Sequence, residues 1–152
     1  RLDVTPSLAR ERKVCNSDRL CTARERLAGY REAMDRAGEG TGIAVQGGNS
    51  VQGGYEAAKR LLATHGDLQG IFATNYEMSI GAAIALKEAG KAVGGDFAFT
   101  GFDSVQMLPV LCPGMHMVVQ PIRELGMVAA ETLLAMIDGG PVRNIVLDCK
   151  VI

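Results

Sequence analysis

The sequence predicts an α/β protein with an open parallel sheet and helices on both sides, a three-layer sandwich. Segments typical of strands and of helices alternate almost one for one through residues 23–152. The strand segments are continuous apolar runs, a pattern typical of strands buried on both faces. With 152 residues, 47% of them hydrophobic, the chain is long enough to bury an ordinary core.

The elements of the first half follow an irregular start. Residues 1–22 show no sustained periodicity and are expected to form an irregular N-terminal segment. Apolar residues then recur at helical spacing until Gly38, which is expected to end the first helix. After a short apolar strand, Asn49 or Ser50 is placed to cap a second helix. The predicted elements of this half are, in order, a helix from Ala23, a strand over 43–45 and a helix with its apolar face between Val51 and Leu62.

The second half continues the same alternation. Gly90 is expected to end the third helix, and Pro113 lies where a short fourth helix ends. A longer helix starts after Pro121 and ends at a pair of glycines. The predicted elements are, in order, a strand over 70–74, a helix over 77–89, a strand over 97–102, a short helix over 104–110, a strand over 115–120, a helix over 122–137 and a strand over 144–152.

Composition and residue spacing count against several classes of protein. Sixteen Lys and Arg against 17 Asp and Glu give a formal charge of −1, which disfavours a nucleic-acid-binding surface on this chain. No apolar run approaches the roughly 18 residues of a membrane span, and no signal-like segment is visible. The spacing of Cys15 and Cys21 does not fit a zinc knuckle, and Cys112 and Cys149 stand alone, which favours reduced thiols in a cytoplasmic protein. Neither histidine has a partner for acid–base or metal chemistry, so we expect no catalytic residue, metal or cofactor.

Three predicted strands end at a polar side chain: Asn75, Asp103 and Gln120. In open parallel sheets, ligands bind beyond the carboxyl ends of the strands. Amides and a carboxylate together donate and accept hydrogen bonds, as polyhydroxylated ligands such as sugars require. Each residue also has a structural alternative, since Asn75 and Asp103 could cap the helices that follow and Gln120 could be a polar hinge residue before a proline.

The glycine-rich run over 47–54 is the other conspicuous local feature. It matches neither the phosphate-loop pattern nor the dinucleotide-binding pattern. A flexible turn that leads into a helix is the favoured interpretation.

Five motifs occur in a fixed order along the chain: ARERLAGYREAM (23–34), GYEAAKRLL (54–62), IFATNYEMSIG (71–81), TGFDS (100–104) and VQPIRELG (119–126). Together they resemble the effector-binding core of the LacI/GalR transcriptional regulators, which is related to periplasmic sugar-binding proteins. The resemblance covers about residues 23–152. The form of the last motif is more similar to the repressors than to the transport proteins.

The resemblance implies a periplasmic-binding-protein-like architecture of two α/β lobes joined by a three-stranded hinge. A small effector, often a sugar or a nucleoside-like molecule, is held between the lobes, and a helix-turn-helix domain precedes them. On this basis the chain is expected to lack the DNA-binding domain and the first lobe. Residues 23–120 would form the C-terminal lobe, and 121–152 would form a hinge-crossing helix and a returning strand.

The resemblance also implies roles for individual residues. Asn75 and Asp103 fall on effector-contacting positions, Gln120 falls on the hinge glutamine, and Arg26 falls where many members have an arginine that meets polar ligand groups. Tyr76 replaces the usual Asp, and it either adds an aromatic wall to the site or alters the turn. The first strand of the family's lobe is not recognisable within residues 1–22.

The expected function is therefore sensing of a small effector, with a sugar favoured, in a LacI-type regulator that reaches DNA through a domain outside this chain. The alternative is the sugar-binding protein of an ABC-type importer, and an enzyme or an interaction module is a third, weaker possibility. The resemblance further implies a homodimer that uses the helix over 79–89 and the segment 105–115. Without its first lobe the chain should bind its effector weakly or not at all, and the helix over 122–137 should present an apolar face that another chain or segment buries.

Overall fold

Helices and strands alternate along the chain in the computed structural model, which describes residues 12–16, 21–40, 42–103, 108–141 and 143–152. The elements are, in order, β1 (Arg12–Asn16), α1 (Cys21–Arg36), β2 (Ile43–Gln46), α2 (Val51–Thr64), β3 (Gly70–Ala73), α3 (Tyr76–Glu88), β4 (Ala98–Phe102), α4 (Leu108–Leu111), β5 (His116–Val119), α5 (Ile122–Ile137) and β6 (Lys150–Val151).

The six strands within the described ranges form one open sheet in the order β2-β1-β3-β4-β5-β6. The pairings from β2 across to β5 are all parallel, and only β6 runs antiparallel, beside β5. The predicted fold class is therefore confirmed, with an antiparallel strand added at one edge. Parallel order aligns the carboxyl ends of β3, β4 and β5 along a single edge of the sheet.

Helices lie on both faces of the sheet, as neighbouring side chains on one strand show. Ile71 is buried in the core that α2 and α3 help to form, whereas the ring of Phe72 stacks on Tyr30 of α1 with 6.2 Å between ring centroids. Successive side chains of a strand point to opposite faces. The helix α1 therefore covers the face opposite to α2 and α3.

The core lies mainly between the sheet and the pair α2 and α3. Its largest fully buried apolar side chains are Phe99, Leu61, Met78, Leu86 and Leu108. Glycines allow the two helices to approach closely: a Cβ at Gly54 would lie 2.5 Å from the Cα of Met78, and one at Gly81 would lie 2.0 Å from the carbonyl oxygen of Val51. This close approach fixes the start of α3 against the start of α2.

The expectation of an irregular segment over residues 1–22 is wrong at Arg12–Asn16, because these residues form β1 in the interior of the sheet. The sequence RKVCN has only two apolar residues and begins with two cations, so it carries no apolar run. Its place depends on backbone pairing with both β2 and β3, which any non-proline residue can provide. Residues 1–11 and 17–20 lie outside the described residues.

Two other predicted elements differ from the structure. The last strand was expected over 144–152, but only Lys150–Val151 form β6, extended by paired backbone hydrogen bonds between Ile152 and Met117. An apolar run favours extended backbone, but a strand also needs a neighbour with free backbone groups. The fourth helix is observed at Leu108–Leu111, and the expected start over 104–107 lies outside the described residues.

The remaining elements match their predicted positions to within about two residues. Ser50, rather than Asn49, caps α2, since its hydroxyl accepts a hydrogen bond from the backbone N–H of Gly53 at 3.0 Å. The bounds of α5 are those predicted, and none of its residues is buried. The helix α5 therefore presents its apolar side chains to solvent.

Candidate ligand-binding site

The predicted site residues gather at the carboxyl ends of β3, β4 and β5. Asn75 lies two residues beyond β3, Asp103 follows β4 directly, and Gln120 follows β5 directly. Arg26 of α1 reaches the same edge of the sheet from the opposite layer. The edge therefore combines a cation, a carboxylate and two amides.

Asp103 and Gln120 are joined directly. The side-chain nitrogen of Gln120 donates a hydrogen bond to the carboxylate oxygen Oδ1 of Asp103. The backbone N–H of Asp103 also donates to the carbonyl of Val118 at 2.9 Å, which ties the end of β4 to β5. The alternative that Asp103 caps the helix after it concerns residues 104–107, which lie outside the described residues.

Arg26 connects two strand ends. One guanidinium nitrogen donates to the carbonyl oxygen of Thr74 at 2.6 Å, and the guanidinium carbon lies 3.4 Å from the centroid of the Phe102 ring. Burial lowers the pKa of Arg26 from its ordinary value, while the negative charge of Asp103 acts in the opposite direction. The cation is thus held against the sheet edge, and the carboxylate of Asp103 balances its charge.

Asn75 uses its side chain in two directions. Its oxygen Oδ1 accepts from the backbone N–H of Met78 at 2.9 Å and caps α3, so the capping alternative is confirmed. Its nitrogen Nδ2 donates to Oδ1 of Asn49 at 2.7 Å. Capping uses only the oxygen of Asn75. The nitrogen can therefore donate its second N–H group to a ligand while the cap stays in place.

Tyr76 is the first residue of α3, and its side chain is 37% exposed. Among the described residues, no hydrogen bond or ring contact joins its side chain to Arg26, Asn75, Asp103 or Gln120. The structure therefore leaves its ring on the surface beside Asn75 and does not bring it into the polar cluster.

Three residues near this edge were missed by sequence reasoning. The fully buried hydroxyl of Ser79 donates to the carbonyl of Asn75 at 2.7 Å and accepts from the backbone N–H of Phe102 at 3.3 Å, so it ties two corners of the site together. Phe102 supports Arg26, and Asn49 contacts Asn75. In the sequence, Ser79 lies in the motif IFATNYEMSIG, Phe102 in the motif TGFDS and Asn49 in the glycine-rich run, and none of these patterns reveals the contacts.

Among the residues that the structure describes, no three His, Cys, Asp or Glu side chains are grouped to hold a metal ion. Cys112 is buried and Cys149 is exposed, and both are free thiols; the side chains of Cys15 and Cys21 lie outside the description. The helices in the described ranges lack the combination of length and apolar character that crossing a membrane demands.

Comparison with known proteins finds relatives of this chain among transcriptional regulators. The family model of the periplasmic binding protein-like domain matches residues 13–152. The ribose operon repressor of Escherichia coli is 36% identical over 114 residues, which cover 74% of this chain and 34% of the repressor. The HTH-type transcriptional regulator IpsA of Corynebacterium glutamicum is 37% identical over 118 residues, covering 76% of this chain and 32% of that protein.

Solved structures agree on the fold. The E. coli transcriptional repressor AscG matches with a TM-score of 0.81 and 29% identity, over 95% of this chain and 54% of the repressor. A periplasmic solute-binding protein of an ABC transporter from Actinobacillus succinogenes, with bound D-allose, matches with a TM-score of 0.84 at 19% identity, over 95% of this chain and 53% of that one. The chain spans about a third of the length of the curated relatives it matches.

Proposed function

This chain belongs to the periplasmic binding protein-like domain family, and on that premise we propose that it is the effector-sensing part of a LacI-type transcriptional regulator. The effector is a small polar molecule, and the site best fits a sugar. The observation that carries the proposal is the hydrogen bond between Gln120 and Asp103 at the ends of β5 and β4. Arg26 lies against the same edge through Thr74 and Phe102, and Asn75 lies just beyond the end of β3.

The chemistry of this edge suits a neutral, hydroxylated ligand. Asp103 accepts hydrogen bonds from hydroxyl groups, and Arg26 donates hydrogen bonds to their oxygens. The amides of Gln120 and Asn75 add further donors and acceptors. The opposite charges of Arg26 and Asp103 balance, so the edge does not require a charged ligand. The exposed ring of Tyr76 lies beside Asn75 and outside this polar cluster, so the proposed site depends on the four polar side chains.

The regulator is favoured over the importer because the relatives at 36–37% identity are a repressor and a transcriptional regulator. The likeness to the solute-binding protein, at 19% identity, concerns the fold alone. DNA would be contacted by a segment outside this chain, in keeping with the nearly balanced charge here. A cytoplasmic location follows from this role, as does binding without chemical conversion or a cofactor.

A homodimer is part of the proposal. Apolar side chains are exposed on α3 and α4, with Ile84 at 41% and Val110 at 74% exposure. Val110 lines a concavity of about 470 Å³ between the end of α3 and α4. Exposed apolar side chains around a depression are typical of an interface between subunits.

The division of the chain follows from the same reasoning. Residues 23–120, with β1 added, form the second lobe, and residues 121–152 cross the hinge and return as β6. Gln120 lies at the junction and contacts Asp103, so effector binding at Asp103 is coupled to the hinge. An effector shifts the balance between open and closed lobes only if it binds the two forms with different affinity.

The test is calorimetric titration of the full-length protein that contains this chain with D-ribose, D-allose and D-glucose, and with adenosine for the nucleoside-like alternative. Asp103→Asn should weaken binding by about tenfold or more, since hydrogen bonds to charged groups are the stronger ones. The matched control is Asp96→Asn, an exposed carboxylate just before β4, at the opposite end of that strand. Failure of all three sugars to bind, with adenosine binding instead, would overturn the sugar class.

A further inference from the structure

We infer that Asn49 is a positioning residue of this site: it fixes the side-chain amide of Asn75 so that its corner offers N–H donors to an acceptor oxygen of the ligand. The inference rests on the proposed function for the ligand, but the geometry of the amide pair stands independently. It gives a role to the glycine-rich run, which was expected only to be a turn.

The orientation of the Asn75 amide is set by its two partners. The backbone N–H of Met78 is a donor, so the Asn75 atom that lies 2.9 Å from it must be the oxygen. The nitrogen of the same amide then points to the oxygen of Asn49 at 2.7 Å. If the amide of Asn75 rotated by half a turn, two donors would face each other at the cap of α3.

The hydrogen bond to Asn49 uses one of the two N–H groups of the Asn75 nitrogen, and the other stays available to a ligand. The oxygens of both amides are already engaged. This corner therefore presents mainly donors, and it favours a hydroxyl, carbonyl or ring oxygen of the ligand.

The donor corner contrasts with the acceptor corner at Asp103. Arg26 connects the two, since it donates to Thr74, the residue before Asn75, and stacks on Phe102, the residue before Asp103. A ligand held across this edge meets acceptors at one end and donors at the other. This polarity gives the ligand a preferred direction.

Glycines place Asn49 within reach of Asn75. A Cβ at the buried Gly47 would lie 2.9 Å from both the carbonyl oxygen of Gly53 and the terminal methyl carbon of Met78. A Cβ at Gly53 would lie 1.6 Å from the carbonyl oxygen of Gly47. Larger residues at these positions would push the loop off the starts of α2 and α3, and Asn49 would move with it.

The first arm of the test needs no ligand. We would follow the side-chain amide of Asn75 by NMR in the wild-type chain and in Asn49→Ala and Asn49→Asp. The alanine variant should shift this resonance and raise the exchange rate of its protons about two- to tenfold, as loss of one hydrogen bond predicts. The aspartate variant keeps an acceptor and should stay close to wild type.

The second arm measures affinity of the full-length protein for D-ribose, or for whichever of D-allose and D-glucose binds better. Asn49→Ala should weaken binding about two- to tenfold, and Asn49→Asp should restore most of the loss. In an Asn75→Asp background, which keeps an oxygen for the cap of α3, Asn49→Ala should have no further effect, since Asn49 acts through the amide of Asn75. Asn144→Ala, an exposed asparagine elsewhere, is the matched control.

Two results would overturn the inference. One is an Asn75 amide resonance that Asn49→Ala leaves unchanged. The other is an equal loss of affinity from Asn49→Ala in the wild-type and Asn75→Asp backgrounds, which would make Asn49 an independent contact. If neither a sugar nor adenosine binds to the wild-type protein, the proposed function fails, while the amide resonances still decide whether Asn49 orients Asn75.

Discussion

Asp103 has a backbone conformation that few side chains adopt, with φ at +71°. An L-residue with a Cβ normally pays about 1–2 kcal/mol for this left-handed region, and Asp and Asn tolerate it better than most. The position after β4 thus requires a residue type that tolerates a positive φ, in addition to the carboxylate that the proposed site uses.

We therefore expect Asp103→Gly to be more stable than Asp103→Ala by about 1 kcal/mol, although Gly is the less stable of the two at ordinary positions. Both variants lose the hydrogen bond from Gln120, so their difference isolates the backbone. Urea unfolding of the two variants measures it. Equal stability, or a more stable alanine variant, would show that the conformation carries no strain for Ala.

Cys112 couples stability to pH, because burial raises the pKa of its thiol above the ordinary value of 9.0. As pH rises past that value, the unfolded chain releases the proton that the folded chain retains, so stability falls. Between about pH 8 and pH 10, Cys112→Ala should therefore lose less stability than wild type.

The measurement for Cys112 is a series of urea unfolding curves across this range. Cys149→Ala serves as the control, since that thiol is exposed. If the free energy of unfolding of Cys112→Ala fell with pH as steeply as that of wild type, the loss of stability could not be assigned to Cys112.

At the residue scale, the site residues that the sequence predicts are those that lie at or directly after the end of a predicted strand. Asn75, Asp103 and Gln120 are each adjacent to an apolar run that the sequence displays. Arg26 was identified only through the family resemblance, because nothing in α1 shows that its side chain reaches Thr74 across the sheet edge. Asn49 was considered only as a cap, since its contact with Asn75 depends on how α2 and α3 approach each other.

At the element scale, the close approach of α2 and α3 is the feature most open to test. Gly54→Ala and Gly81→Ala each place a Cβ within 2.5 Å of backbone atoms of the other helix. Each should destabilise the chain by about 1–3 kcal/mol, as overpacking does. The same change at Gly29, within α1, has no atom within 4 Å of the new Cβ and should stabilise by about 0.5–1 kcal/mol.

Urea unfolding of the three variants distinguishes close packing from helix propensity. If Gly54→Ala or Gly81→Ala were as stable as Gly29→Ala, the two helices would not be in close contact. Loss of stability in all three would instead point to a general cost of substitution.

The elements differ in how well the sequence predicts them. The bounds of α5 were predicted without error because a long helix repeats its apolar pattern over several turns. In β1, five residues with two leading cations carry no such repeat, and their place in the sheet comes from pairing with two neighbours. The strand β6 was predicted too long, because an apolar run does not reveal how much of it has a partner.

At the scale of the whole molecule, the unusual feature is α5, a helix with no buried residue and many apolar ones. Its exposed side chains include Leu133, Leu134 and Ile137. In the proposed architecture this helix lies beyond the hinge, away from the core of the lobe. Apolar surface of this extent favours burial against another surface.

We therefore expect the isolated 152-residue chain to associate through α5 as its concentration rises. Leu134→Glu, at a residue 61% exposed, should weaken this association. At low concentration, where the chain is monomeric, it should leave the melting temperature unchanged, because the residue contributes little to the core. Val146→Glu, at an apolar side chain 91% exposed outside α5, should change neither property. Sedimentation velocity across a range of concentrations, with hydrogen exchange along α5, measures both. A monodisperse monomer at every concentration, with α5 exchanging as an exposed helix, would show that its apolar face needs no cover.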